Sequence, residues 1–145
     1  MTDFHDFFHQ FFQVNRQLSK NINECLTPLG LYSAQWTIIY YLKHHGSSTQ
    51  AEICKYLNVE APTMTRTVSR LEKKGLIERT RGKDKREKRL QLTDDALSQF
   101  QLWKEHIERF EACVLKGISV REQKLMMTLL QKMNENINNK GDDDY

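Results

Sequence analysis

The sequence predicts a mainly α-helical fold with one small β-hairpin, and three observations carry that reading. Apolar residues recur at three- and four-residue spacing through most of the chain, which is the period of one helix face. Only 6 Gly and 2 Pro interrupt the 145 residues, and Ser or Thr stands where several of the periodic segments begin. A single stretch, residues 76–93, changes to a period of two, the pattern of strands.

Residues 4–26 carry Phe4, Phe7, Phe8, Phe11, Phe12, Leu18, Ile22 and Leu26, mostly at helical spacing. An amphipathic helix with its aromatic load at one end is expected, stopped by Pro28 and Gly30. Ser33 suits the cap of a second helix reaching Lys43, with Trp36, Ile39, Tyr40 and Leu42 on its apolar side. Residues 44–48 read as a break. Thr49-Gln50-Ala51-Glu52 is a capping box opening a short helix that buries Ile53, Cys54 and Leu57. After a short connection over residues 58–61, Pro62 suits the first turn of another helix. That helix runs to about Lys74 and stops at Gly75, its expected C′ residue. Two short helices so joined make a helix-turn-helix candidate.

Residues 76–81 and 87–93 then read as strands flanking Gly82-Lys83-Asp84-Lys85-Arg86, a hairpin with a cationic tip and arms. Thr93 caps a further helix whose first turn holds Asp94 and Asp95, a favourable charge for the helix dipole. Its apolar positions are Ala96, Phe100, Trp103, Ile107, Phe110 and Val114, and Gly117 ends it. Ser119-Val120-Arg121-Glu122 is a second capping box. The last helix follows, with Leu125, Met126, Leu129, Leu130, Met133 and Ile137. The polar, acidic end, residues 139–145, is expected to be disordered.

The length suits one domain with a substantial core. With 22 Lys+Arg against 19 Asp+Glu the formal charge is only +3, but the mean hides an asymmetry. Residues 66–89 hold eleven Lys or Arg and four acids, net +7, which leaves −4 for everything else. Such segregation points to an anionic partner for one face. No apolar run approaches the roughly 18 residues of a membrane span, and the N-terminus lacks the basic n-region of a signal peptide. Three cysteines, 25, 54 and 113, form no disulfide framework and no CxxC motif, so a reducing cytoplasm is the expected home.

On a helical wheel Met64, Val68, Leu71 and Gly75 share one side, while Pro62, Arg66, Ser69, Arg70 and Lys73 lie opposite. One face can pack while the other meets a ligand. An exposed helix bearing Thr, Ser and Arg has the chemistry to read a major groove. Arginine donates in pairs to guanine O6 and N7, and hydroxyls and helix N-terminal amides hold phosphate. Arg86, near the hairpin tip, suits a narrow minor groove, with Asp84 as its orienting partner. A charge run alone is usually a solvated face. Helix-turn-helix, cationic hairpin and charge segregation together point to double-stranded DNA.

The residues Leu29-Gly30-Leu31-Tyr32-Ser33-Ala34-Gln35-Trp36, then Ala61-Pro62-Thr63-Met64-Thr65-Arg66 through Arg70-Leu71-Glu72-Lys73-Lys74-Gly75-Leu76-Ile77, form a recognisable series. With Arg79, Asp84-Lys85-Arg86 and Leu90-Gln91-Leu92-Thr93, the chain resembles the MarR family of bacterial winged-helix transcription regulators over essentially its whole length, residues 1–145. The resemblance implies a winged helix-turn-helix DNA-binding lobe over residues 33–93 and a helical dimerisation lobe over 1–28 and 94–138. It implies an obligate homodimer, a repressor by expectation, on a pseudo-palindromic operator with half-sites about one helical turn apart. The expected DNA-binding residues are Pro62, Thr63, Thr65, Arg66, Ser69, Arg70, Lys73, Arg79, Lys83, Asp84, Lys85 and Arg86. By the family pattern Arg86 enters the minor groove and Asp84 braces it; Lys85 stands where the family often has Arg.

The resemblance also implies release by a small phenolic or lipophilic ligand, for which Phe11, Phe12, Trp36 and Tyr40 are the candidate lining, although aromatic stripes at this spacing usually form core. A redox-sensing relative of the same fold is the alternative, through Cys25, Cys54 or Cys113, which otherwise read as packed small hydrophobes. A second alternative is a winged-helix protein-interaction module with no specific DNA site. His5 and His9 stand at chelating spacing, His44 and His45 end a helix, and His106 has Phe110 one turn on, so no metal and no cofactor is expected. Without paired carboxylates, a glycine-rich phosphate loop or a nucleophile elbow, an enzyme is not expected either.

Overall fold

The computed structural model describes residues 3–84 and 86–141. Lys85 and residues 142–145, which include most of the expected acidic tail, lie outside the described residues. In chain order the elements are α1 (Phe4–Leu26), a 3-10 turn (Thr27–Leu29), α2 (Ser33–His45), β1 (Ser48–Thr49), α3 (Gln50–Leu57) and α4 (Ala61–Lys73). There follow β2 (Ile77–Arg81), β3 (Lys88–Leu92), α5 (Asp94–Val114) and α6 (Val120–Asn138). Two compact units divide the chain, Met1–Phe110 and Glu111–Tyr145.

The capping chemistry explains most element starts. Thr93 Oγ1 accepts the amide of Ala96 at the start of α5. At α6 the capping box is complete, with Ser119 Oγ accepting the Glu122 amide at 3.1 Å and Glu122 Oε2 accepting the Ser119 amide at 2.8 Å. At α3 only half of the expected box forms. Thr49 Oγ1 accepts the Glu52 amide, whereas the Glu52 carboxylate lies 3.9 Å from Arg89. Ser33 is not the cap of α2 but its first residue, and the helix continues past Lys43 to His45. The exposed amides there are held by longer side chains: Gln35 Oε1 accepts from Tyr32 N–H and Asn23 Oδ1 from Ser33 N–H.

The sheet has three antiparallel strands in the order β1-β3-β2. In register, Arg79 faces Leu90, and Leu90 faces Ser48 across the other edge. The hairpin was expected from its period; β1 was not. Residues 44–48 read as a break because a two-residue strand is too short to show alternation.

One core fills the unit Met1–Phe110. It begins at Leu26 and Leu31, takes in Trp36, Ile38, Ile39 and Leu42 of α2, and collects Ile53, Met64, Val68 and Leu71 from the two short helices. Leu76, Ile77 and Leu90 join it from the hairpin, and Ala96, Phe100, Trp103 and Ile107 from α5. Trp36 stacks on Phe100 with ring centroids 5.4 Å apart. The N-terminal part of α1 is different. Its aromatic stripe stays uncovered in the single chain, with Phe4 84% and Phe12 52% exposed. In the second unit, α6 contributes no buried residue, and Leu125, Met126, Leu129, Leu130 and Ile137 are all exposed. Among the described residues no helix is long and apolar enough to cross a membrane.

Candidate nucleic-acid interface

The orientation of α4 follows from three side chains. Met64, Val68 and Leu71 are buried in the core, so the opposite side of the helix must face outward. Pro62, Thr63, Arg66, Ser69, Arg70 and Lys73 are all exposed there. Thr65, also exposed, is already engaged: its hydroxyl donates to the Ala61 carbonyl and accepts from Gln50 Nε2 at 2.7 Å. That bond ties the first turn of α3 to α4. The Arg66 guanidinium lies along its own helix, 3.4 Å from Thr63 Oγ1.

The helix ends in a Schellman turn. Leu76 N–H reaches the Leu71 carbonyl and Gly75 N–H the Glu72 carbonyl, with Gly75 at φ +71°. The chain thereby turns straight into β2. Arg79 on that strand closes back on Glu72 at 2.9 Å. Lys74, at the same corner, donates to the Gly30 carbonyl at 2.6 Å and to Gln35 Oε1 at 3.0 Å, and sits 5.5 Å from the Tyr32 ring centre.

At the hairpin tip, Gly82 N–H bonds the Glu87 carbonyl and Glu87 N–H bonds the Asp84 carbonyl. The Asp84 carboxylate accepts the backbone amide of Arg86 at 3.1 Å. The brace expected from Asp84 therefore acts on the Arg86 backbone, as short acidic side chains do in turns, and among the described residues it forms no ion pair with the guanidinium. Lys83 and Arg86 are exposed; Lys85, also expected at this surface, lies outside the described residues.

The cations of residues 66–89 thus sort into two kinds. Lys74, Arg79 and Arg89 have internal partners, Arg89 bonding Ser47 and Glu87. Arg66, Arg70 and Lys73 on α4, and Arg81, Lys83, Arg86 and Lys88 on the hairpin, are exposed without an ion pair among the described residues. Sequence reasoning missed the structural work of Lys74 and Arg89. Lys74 reaches Gly30 and Arg89 reaches Ser47, 44 and 42 residues away and beyond any local pattern.

The four candidate effector residues do not assemble. Phe11 and Phe12 belong to an exposed ring cluster with Phe7, whereas Trp36 and Tyr40 group with Phe100. All three cysteines are free, Cys113 exposed and the other two half-buried. His9 lies 3.3 Å from the amide of Gln13, and among the described residues no three His, Cys, Asp or Glu side chains gather as a metal site.

Comparison with known proteins settles the kinship. The family model of MarR matches residues 31–88, the segment from the start of α2 to the start of β3. Over 93 residues, 64% of this chain, the sequence is 50% identical to YwoH, an HTH-type transcriptional regulator of Bacillus subtilis strain 168, and spans 68% of that protein. The chain belongs to the MarR family. The solved structures share the fold. A SlyA-like transcription regulator from Listeria monocytogenes superimposes with a TM-score of 0.82 at 25% identity, covering 94% of this chain and 90% of that one. A mutant of MarR from E. coli, complexed with operator DNA, gives 0.79 at 24% identity, covering 91% and 99%. The expected mainly helical, winged helix-turn-helix class is the fold found, and MarR membership places the chain among transcriptional regulators rather than enzymes.

Proposed function

We propose that this MarR-family regulator is a cytoplasmic repressor that binds a pseudo-palindromic DNA operator as a homodimer, reading the major groove with α4 and the minor groove with Arg86. The observation that carries this reading is the disposition of α4. Its apolar residues are consumed by the core, and its outward side presents Pro62, Thr63, Arg66, Ser69, Arg70 and Lys73. Arg, Ser and Thr on an outward helix match base edges and phosphates. The dimer is supported by the uncovered aromatic stripe of α1 and the apolar stripe of α6, a helix with no buried residue, since exposed apolar patches mark interaction surfaces.

Selection from a random duplex pool, followed by gel-shift titration, tests the reading. A single enriched inverted repeat is expected. Its affinity should fall by ~10³-fold or more between 50 and 200 mM salt if a dimer neutralises at least six phosphates. Affinity no better than for random duplexes at 150 mM salt would sink the sequence-specific claim in favour of the protein-interaction module.

Relief of repression by a small phenolic or lipophilic ligand belongs to the same proposal. Tyr32, Gln35, Arg70, Lys73 and Lys74 line a cavity of ≈ 580 Å³, where such a ligand would cover two of the outward cations. Salicylate titrated against the preformed DNA complex is the probe. Release blocked by Tyr32→Ala, at a residue that lines the cavity but is not among the DNA-binding residues, supports this site, and release unchanged by it excludes the site.

A further inference from the structure

Arg89 is the most heavily bonded cation of the hairpin, and none of its partners lies on α4. From its place in β3, opposite Thr49 and Thr80, its guanidinium reaches two ways. Nη1 donates to Glu87 Oε1 at 2.9 Å. Nε and Nη2 donate to Ser47, to the hydroxyl at 3.1 Å and the carbonyl at 2.5 Å. The Glu52 carboxylate, on the first turn of α3, stands 3.9 Å from Nη1. All three guanidinium nitrogens thus have an acceptor, and two carboxylates balance the charge. The planar fork of arginine suits this bridging, and a lysine ammonium cannot reproduce it.

The bridge has a second support. A Cβ built on Gly82 would stand 2.2 Å from Glu87 Oε2, so the Glu87 side chain lies over the space that Gly82 leaves open. With no side chain at Gly82, the Glu87 carboxylate lies across the hairpin toward Arg89. The backbone link between hairpin and helix-turn-helix is short, because β1 pairs with β3 at only Ser48 and Thr49. The Arg89 bonds extend that link by joining the β3 arm to the loop that leads into α3.

We propose that Arg89 is a positioning residue for DNA reading. It clamps the hairpin to the Ser47 loop, with Glu87 as its counter-jaw, and so sets the angle at which the tip presents Arg86, without itself touching DNA. This inference rests on the DNA-binding reading above.

The test uses the full chain with Arg89→Lys, Glu87→Ala and Arg89→Gln on a duplex that the wild-type protein selects. Arg89→Lys keeps the charge yet should lose about tenfold in affinity, the size of one lost specific contact. Hydroxyl-radical protection of the minor groove under the hairpin should disappear, while protection of guanine N7 under α4 persists. Glu87→Ala, on the surface and safe for folding, should give the same footprint and carries the test if the Arg89 variants do not fold. In both variants, without DNA, amide exchange in the hairpin should quicken. Wild-type affinity and footprint for Arg89→Lys would overturn the proposal. So would a salt slope that falls by about 0.9 per chain in Arg89→Gln but not in Arg89→Lys, the mark of a direct phosphate contact that the lysine charge keeps. Unchanged hairpin exchange in the DNA-free protein would overturn it independently. If the wild type selects no sequence, the DNA reading falls, while the exchange arm still judges the clamp.

Discussion

Arg79 on β2 grips Glu72 on α4, its Nη2 2.9 Å and its Nε 3.1 Å from one carboxylate oxygen. The pair spans the Gly75 turn and joins α4 to the hairpin by side chains as well as by backbone. Both partners are part-exposed, 40% and 31%, so solvent screens the attraction and the pair is worth about 0.2–1 kcal/mol. Glu72→Gln should therefore lower the unfolding free energy by less than about 1 kcal/mol in a urea titration. A larger loss would mean that the corner depends on this contact more than its exposure allows.

Arg86→Ala should leave the fold intact, because the side chain is exposed and has no ion pair among the described residues. Fluorescence anisotropy on the selected operator should report a loss of about 1–3 kcal/mol in binding, as for a specific base contact. Unchanged affinity would move the hairpin out of the interface and strengthen the protein-interaction reading.

Two left-handed positions make an opposed pair of backbone tests. Gly75 stands at φ +71° with open space where a Cβ would go, so Gly75→Ala carries only the conformational cost, about 1–2 kcal/mol. Asn58 caps α3 at φ +54°, and Asn58→Gly should cost nothing or gain up to about 1 kcal/mol. Thermal melts of the two single variants should shift in opposite directions or leave Asn58→Gly unmoved. A stabilised Gly75→Ala would contradict the turn geometry.

Trp103 is 1% exposed, and its indole N–H has no hydrogen-bond partner among the described residues. A buried donor left unpaired costs about 1–3 kcal/mol. Trp103→Phe removes that penalty along with part of the ring, so its net destabilisation should be smaller than the ~2–5 kcal/mol expected for Ile107→Ala on the same helix. Chemical denaturation of both variants decides the order.

The α6 stripe offers a clean separation of assembly from folding. Met126 and Leu130 are exposed in the single chain, so Met126→Glu with Leu130→Glu should keep the helical circular dichroism. Two charges placed in an apolar interface should raise the dimer dissociation constant by at least about a hundredfold in sedimentation. A dimer of wild-type strength would assign the stripe to another partner.

By itself, the sequence determined what depends on neighbours a few residues apart. Helical spacing placed α1 at residues 4–26, Ser119 and Glu122 announced the start of α6, and the period of two announced the hairpin. The wheel of α4 separated its buried Met64, Val68 and Leu71 from its outward cations. Tertiary structure alone decided which positive charges are taken up by partners within the chain. Lys74, Arg79 and Arg89 look like their neighbours in a list of cations, yet Gly30, Glu72 and Ser47 claim them. It also decided which apolar stripes make core: Trp36 and Trp103 do, while the Phe stripe of α1 does not. The physical reason is the same in both cases. Periodicity records which side of an element is apolar or charged, but what covers that side, protein or solvent, is fixed by residues distant in sequence that only the fold brings together.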